Sequence, residues 1–156
     1  MRNALCTAIN DLLALNGMKD EFYASNDFYL KVLRGSYTPL TVERHGDKVN
    51  ITHFTSTGGE FPEYVRDPEV VFSLDVATKL CFGQFGLWTP VSIEPGGLGR
   101  VYRTYKIETN PDHTPRFLYS KSMMKEAIEF GNWWARNLRA QNFIKKHAPD
   151  NLLRRP

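Results

Sequence analysis

Two short alternating segments joined by Gly-Asp constrain the fold of this chain more than any other feature. Apolar and polar side chains alternate over residues 40–43 and again over residues 49–52, and Gly46-Asp47 lies between the two segments. A two-residue loop with glycine at its first position is typical of a type II′ turn, because that position requires a positive φ. The sequence therefore predicts an antiparallel β-hairpin that turns at Gly46.

The turn also determines which side chains of the hairpin face each other. With Gly46-Asp47 as the loop, Val42 pairs with Ile51 and Leu40 pairs with His53. In this register one face carries Leu40, Val42, Val49 and Ile51, and the other carries Thr41, Glu43, Asn50 and Thr52. A shift of one residue would move the apolar side chains of one strand to the opposite face. We therefore expect the first face to be buried and the second to face solvent.

Length and composition bound the class of protein. The chain has 156 residues, which is the usual size of one domain. No apolar run approaches the roughly 18–20 residues that cross a bilayer, and the N-terminus lacks the pattern of a secretory signal. Cys6 and Cys81 do not have the spacing of a metal site. We expect a cytoplasmic protein with reduced thiols, no membrane association, and no metal or cofactor.

Helical patterns flank the strand region at both ends. Apolar residues recur at helical spacing between Asn3 and Leu15, where Asn3 is suited to cap the helix and Gly17 is suited to end it. A second and longer pattern extends from Ser122 to about Asn142. The sequence therefore predicts one helix before the strands and a long helix after them.

Short loops connect the strands between these helices. Besides the hairpin, strands are predicted at residues 27–33, 69–75, 87–94 and 100–108, with loops at residues 16–26 and 57–68. Pro90 lacks a backbone donor, so we expect its strand to lie at a sheet edge or to bulge there. We predict an α+β fold, with an antiparallel meander of about five strands packed against an N-terminal helix and a long C-terminal helix. Residues 1–148 form the single domain in this prediction, and residues 149–156 form a flexible basic tail.

The positive charge is concentrated near the C-terminus. The net charge is +3, yet residues 1–120 hold 12 Lys/Arg and 14 Asp/Glu, whereas residues 121–156 hold 8 and 3. A basic segment can contact nucleic acid or an acidic protein, and it also serves solubility. The charge distribution therefore leaves these interpretations open.

Trp133 is the main candidate for a binding residue. Trp134 belongs to the apolar stripe of the predicted helix, whereas Trp133 is rotated about 100° from it. A large aromatic side chain beside arginines is typical of an interface hot spot, and it can also stack on a nucleic acid base. The alternative is that Trp133 covers the edge of the core. The candidate partner-binding or nucleic-acid-binding residues are Trp133, Arg136, Arg139, Lys145 and Lys146.

Catalytic motifs are incomplete. His53-Phe54-Thr55 is half of the signature of two-histidine phosphoesterases, but the sequence has no second His-x-Thr or His-x-Ser. Several acids follow His53 and would form a hard-metal site only if they converged. The catalytic candidates are His53, Glu60, Asp67 and Glu69. We expect a non-enzymatic protein, with a metal-dependent hydrolase or nuclease around His53 as an alternative.

Several segments, taken in order, resemble a small bacterial family of a domain of unknown function that occurs in proteins of plasmids, integrative elements and phages. The segments are residues 39–44, 51–54, 58–60, 66–72 and 87–92. The resemblance covers roughly residues 28–107 and omits both predicted helices. It implies a cytoplasmic accessory protein of a mobile element in a bacterial host cell, and it implies no catalytic residue.

Three functional hypotheses follow. The first is an interaction protein of a phage or mobile element that binds a host or defence-system protein. The second is a nucleic-acid-binding protein that uses the basic C-terminal helix. The third is the hydrolase or nuclease around His53. The sequence leaves the identity of the partner and the oligomeric state open.

Overall fold

The architecture follows from helices at both ends of the chain and strands between them. The computed structural model describes residues 2–56, 59–60, 64–75, 88–96 and 100–155. The helices in these residues are α1 (Ala4–Leu15), α2 (Lys19–Ala24) and α3 (Lys121–Ala140). The strands are β1 (Asp27–Arg34), β2 (Tyr37–His45), β3 (Lys48–Ser56), β4 (Tyr64–Ser73), β5 (Thr89–Glu94), β6 (Tyr102–Arg103), β7 (Tyr105–Thr109), β8 (Pro115–Tyr119) and β9 (Leu152–Leu153).

The strands form one large sheet and one separate ribbon. Seven of the described strands pair antiparallel in the order β6-β5-β4-β3-β2-β1-β9, and β7 pairs with β8 alone. The predicted α+β class is confirmed, with seven strands in the main sheet instead of about five. Among the described residues, no helix is both long enough and apolar enough to cross a membrane.

The central hairpin has the predicted register. Val42 pairs with Ile51 and Leu40 pairs with His53, and Gly46 turns the chain with φ +61°. The apolar face is buried as expected. The opposite face differs from the prediction, because Thr41 and Thr52 are only 3% exposed. The hydroxyl of Thr52 donates a hydrogen bond to the carbonyl oxygen of Pro68, which satisfies a polar group away from solvent.

α1 and α3 pack against each other beside the sheet. Asn3 caps α1 by accepting a hydrogen bond from the Cys6 amide at 3.1 Å, as predicted. A Cβ at Gly131 in α3 would lie 3.3 Å from the Cβ of Leu5, so glycine permits the close approach of the two helices. The core therefore lies between this helix pair and the apolar face of the sheet. Cys6 is buried in it, and Cys81 lies outside the described residues.

α2 lies where the sequence predicts a loop. Its six residues have no side-chain cap, and only Phe22 is buried. The Phe22 ring packs 5.2 Å from the ring of Phe28 and 5.7 Å from that of Trp88. A helix this short is marginal by itself, so tertiary contacts stabilise it, and local sequence carries little signal of it.

β4 begins earlier than predicted. It starts at Tyr64, inside the segment interpreted as a loop, and it contains an extra residue opposite His53. Thr52 pairs with Glu69, but Phe54 pairs with Arg66, so the bulge lies at Asp67–Pro68.

The region around β5 and β6 contains one confirmed and one wrong prediction. The bulge expected near Pro90 is present in β5, which lies inside the sheet because β6 is paired to it. The predicted strand over residues 100–108 is divided into β6 and β7. At the break, the Thr104 hydroxyl donates a hydrogen bond to the carbonyl oxygen of Pro90 at 2.6 Å, which holds the chain at the end of the main sheet.

The C-terminal segment also differs from the expected frayed tail. Pro149–Asn151 forms a 3-10 turn, and β9 then pairs with β1. Arg154 lies 4.5 Å over the Phe28 ring and forms an ion pair with Glu21. Arg155 lies 5.4 Å over the Tyr29 ring. These contacts join residues far apart in sequence, so local composition cannot predict them.

Candidate functional site

The two adjacent tryptophans of α3 have opposite environments. Trp134 is 2% exposed and belongs to the core, whereas Trp133 is 49% exposed. Successive helical residues are rotated by about 100°, so a helix that buries one of them turns the next away. The structure therefore places Trp133 outside the apolar stripe, as the sequence predicts.

A chain of aromatic contacts connects Trp133 to the core. Its ring centroid lies 5.6 Å from that of Phe130, which lies 6.3 Å from that of Trp134. Trp134 in turn packs 5.5 Å from His53, and His53 packs 5.4 Å from Phe143. The exposed indole therefore packs on its inner side against aromatic rings that continue into the core. Because these contacts already restrict the indole, it would lose less conformational entropy on binding a partner.

Charges of both signs surround this indole. Glu129 and Arg136 lie four residues before and three residues after Trp133, so both are its neighbours on the helix surface, and both are exposed. Glu126 is exposed two turns before Trp133 on the same side. We call these residues the Trp133 patch: Glu126, Glu129, Phe130, Trp133 and Arg136. Phe130 was not among the predicted binding residues, although residues three apart on a helix are neighbours on its surface and Phe130 precedes Trp133 by three.

Arg139, Lys145 and Lys146 do not belong to this patch. Arg139 is rotated about 120° from Trp133 around the helix, and it pairs with Asp11 of α1 at 2.6 Å. The carbonyl of Lys145 accepts a hydrogen bond from Asn16, at the far end of α1 from the Trp133 patch. Lys146 lines a cleft of about 660 Å³ at that same end. Of the predicted basic residues, only Arg136 lies next to Trp133.

His53 is a half-buried neutral base on the core face of the sheet. Its Nδ1 lies 3.2 Å from the carbonyl oxygen of Pro39, so the Nδ1–H donates and Nε2 keeps its lone pair. Burial lowers the pKa of His53 below its ordinary value. The contacts with the backbone of Pro39 and Thr38, and the charge of Asp67, oppose this shift.

The acids proposed as partners of His53 do not gather around it. The negative charge of Asp67, at the β4 bulge, favours the protonated form of His53. Glu69 pairs with Thr52, so its side chain points to the face of the sheet opposite His53. Glu60 is exposed. Within the described segments, no group of three His, Cys, Asp or Glu side chains is placed to hold a metal ion. The arrangement supplies one imidazole and one nearby carboxylate.

A family model for a domain of unknown function, DUF6908, matches residues 7–144. The chain belongs to the DUF6908 family. This match confirms the resemblance to a family of unknown function, and it extends the relationship to both α1 and α3, which the segments at residues 28–107 omit. No curated protein and no solved structure matches the chain. The roles of the DUF6908 residues therefore have to be inferred from their geometry.

Acidification is expected to destabilise this DUF6908 chain through His53. Because the folded state lowers the pKa of His53, protonation of this side chain favours the unfolded state. The free energy of unfolding is therefore highest above the unfolded pKa of about 6.5, and it decreases as pH falls from there through the folded pKa. Each pKa unit of difference corresponds to about 1.4 kcal/mol. Urea unfolding between about pH 8 and pH 5 measures the effect, and His53→Phe should flatten the pH dependence.

His113→Asn provides the matched control for this measurement. His113 is exposed in the turn between β7 and β8 at φ +66°, a conformation that asparagine tolerates. The His113→Asn protein should retain the pH dependence of the wild type. If His53→Phe and wild type lose stability equally between pH 7 and pH 5, the role given to His53 is wrong.

Proposed function

We propose that this DUF6908 chain is a non-enzymatic interaction protein of a phage or mobile genetic element, which binds a host or defence-system protein through the Trp133 patch. The observation that carries the proposal is the exposure of Trp133, 49% against 2% for Trp134 beside it. Tryptophan and arginine are among the residues most enriched at interface hot spots. Trp133 and Arg136 supply both on one surface of α3.

The chemistry of the Trp133 patch favours a protein partner over nucleic acid. A nucleic acid surface needs a positive field, but Glu126 and Glu129 lie on the same side of α3 as Trp133. An apolar centre with a mixed-charge rim is the usual composition of a protein interface. Since Phe130 already packs against Trp133, little reorganisation would accompany binding.

The C-terminal basic segment gives less support to nucleic acid binding than its composition indicates. Arg139 pairs with Asp11, Arg154 pairs with Glu21, and Arg155 lies 3.5 Å from Asp27. These arginines neutralise acids of the same chain and hold the C-terminal residues against α1, α2 and β1. Their charge is therefore partly compensated before any partner arrives.

The mobile-element context rests on the resemblance of the strand segments to proteins of plasmids, integrative elements and phages. Such accessory proteins act inside a bacterial host cell, so we place the protein and its partner in the bacterial cytoplasm. A host or defence-system protein is the partner class that fits an interaction protein of such an element.

Affinity capture tests this proposal. The tagged chain is incubated with nuclease-treated bacterial host lysate, and the affinity of the protein that it retains is then measured with purified components. Trp133→Ala should weaken this binding by at least about 30-fold, the equivalent of about 2 kcal/mol for a hot spot, without lowering the melting temperature. Loss of capture on nuclease treatment would contradict a direct protein partner.

Leu15→Ala is the matched control for Trp133→Ala. Leu15 is 50% exposed, as Trp133 is, but it lies at the opposite end of α1 from the Trp133 patch. The control should bind with wild-type affinity. Equal weakening by the two substitutions would show that exposed apolar area in general, and not this patch, accounts for capture.

A further inference from the structure

The β7–β8 ribbon is a separate surface that the Trp133 patch does not involve. It lies outside the seven-stranded sheet, with Ile107 paired to Phe117 and Glu108 paired to Arg116. A two-stranded ribbon with no sheet beside it is marginally stable by itself. Tyr105 packs against Met124 and Ile128 of α3, and this contact fixes the base of the ribbon. The rest of the ribbon projects from that base.

The two faces of the ribbon differ in chemistry. Alternation along the strands places most of the apolar side chains on one face and the charged ones on the other. The apolar face carries Tyr105, Ile107, Phe117 and Tyr119, and the charged face carries Lys106, Glu108, Arg116 and Leu118. Ile107 is 59% exposed and Tyr119 is 42% exposed, so the packing against α3 leaves much of the apolar face accessible.

The ribbon and its base carry an excess of positive charge. Residues 100–125 contain six Lys/Arg and two Asp/Glu, a net charge of +4, whereas the whole chain has +3, which leaves −1 for the rest. All six cations are exposed. Glu108 forms ion pairs with Lys106 and Arg116 on the charged face. Among the residues that the structure describes, Arg100, Arg103 and Lys121 form no ion pair, so their charges are available to an anionic partner.

We propose that the β7–β8 ribbon and the cations at its base bind duplex DNA. The major groove of B-form DNA admits a two-stranded β-ribbon, and cations at the base of such a ribbon can contact the phosphates on either side of the groove. Ser120 donates its amide to the carbonyl of Thr104, which brings the chain at Arg103 close to that at Lys121. Tyr102, next to Arg103, is 41% exposed, and its hydroxyl can hydrogen bond to a phosphate. This surface is distinct from the basic C-terminal segment and from the Trp133 patch.

Fluorescence anisotropy with a labelled duplex of about 20 base pairs tests the proposal directly. The full chain should bind DNA at about 50 mM salt, and its affinity should fall steeply by about 200 mM as counterions are released. The double variant Arg103→Glu/Lys121→Glu should bind at least about tenfold more weakly. Its slope of log affinity against log salt should become shallower by about 0.9 for each phosphate that the variant no longer neutralises. Its melting temperature establishes that it is folded.

Lys145→Glu/Lys146→Glu is the matched control, because it reverses the same number of exposed charges at the other end of the molecule. This control should keep wild-type DNA affinity; an equal loss would assign DNA binding to the C-terminal segment and overturn the proposal. An RNA duplex of the same length should bind more weakly, because its deep and narrow major groove excludes a ribbon. Three results would each contradict the DNA-binding proposal: equal binding of RNA, displacement of DNA by polyglutamate at equal charge, and no DNA binding at about 50 mM salt.

Discussion

Trp134→Ala is expected to lower the free energy of unfolding by about 3–5 kcal/mol, the range for truncating a buried tryptophan. The Trp134 side chain is 2% exposed and packs against Phe130 and His53, so alanine would leave a cavity among rings that cannot collapse fully. Urea unfolding followed by circular dichroism measures the change without depending on the fluorescence of the substituted residue.

The neighbouring substitution provides the comparison. Trp133→Ala removes an indole of the same size that is 49% exposed, and its loss should cost less than about 1 kcal/mol, as is usual for surface substitutions that leave the core intact. A loss of similar size for the two variants would show that Trp133 is part of the core. The Trp133 patch would then not be a separate binding surface.

Phe22→Ala is also expected to cost about 3–5 kcal/mol. Phe22 is fully buried and is the only buried residue of α2. Its ring contacts Phe28 and Trp88, and Arg44 donates a hydrogen bond at 2.7 Å to its carbonyl oxygen. Loss of the ring should open a cavity among these aromatic side chains, whereas the hydrogen bond to the backbone carbonyl is retained in the alanine variant. Thermal unfolding measures the loss of stability.

Lys19→Ala is the matched control for Phe22→Ala, because it changes an exposed residue of the same helix. Lys19 is the first residue of α2 and is exposed, so its replacement should change the free energy of unfolding by less than about 0.5 kcal/mol. If Phe22→Ala had an effect as small as this, α2 would contribute no packing, and the contacts of Phe22 with the aromatic cluster would carry no stability.

Local chemistry predicts the parts of this fold whose determinants are close together in sequence. The hairpin register follows from Gly46 and from the alternation on either side of it, and the cap of α1 follows from Asn3. α2 and β9 are stabilised instead by residues far away in the chain, as Phe22 is by Trp88 and Leu153 is by its pairing with Lys31. No local pattern encodes such contacts.

The candidate sites show the same division. Helical rotation alone predicts that Trp133 leaves the apolar stripe, because this depends only on its position in the helix. The environment of each arginine depends on which acids the fold brings to it, as with Arg139 and Asp11. Likewise, residue type alone does not show that the pleat of β4 turns the Glu69 side chain to the face of the sheet opposite His53.

The most direct test of the central claim is fluorine NMR of the chain labelled with 5-fluorotryptophan, alone and with its captured protein partner. The chain has three tryptophans, and Trp88 and Trp134 are buried, so only Trp133 can contact a partner without unfolding. Trp133→Phe assigns its resonance. We expect binding to shift or broaden the Trp133 resonance and to leave the other two largely unchanged. A tight complex in which the Trp133 resonance does not change would contradict binding through the Trp133 patch.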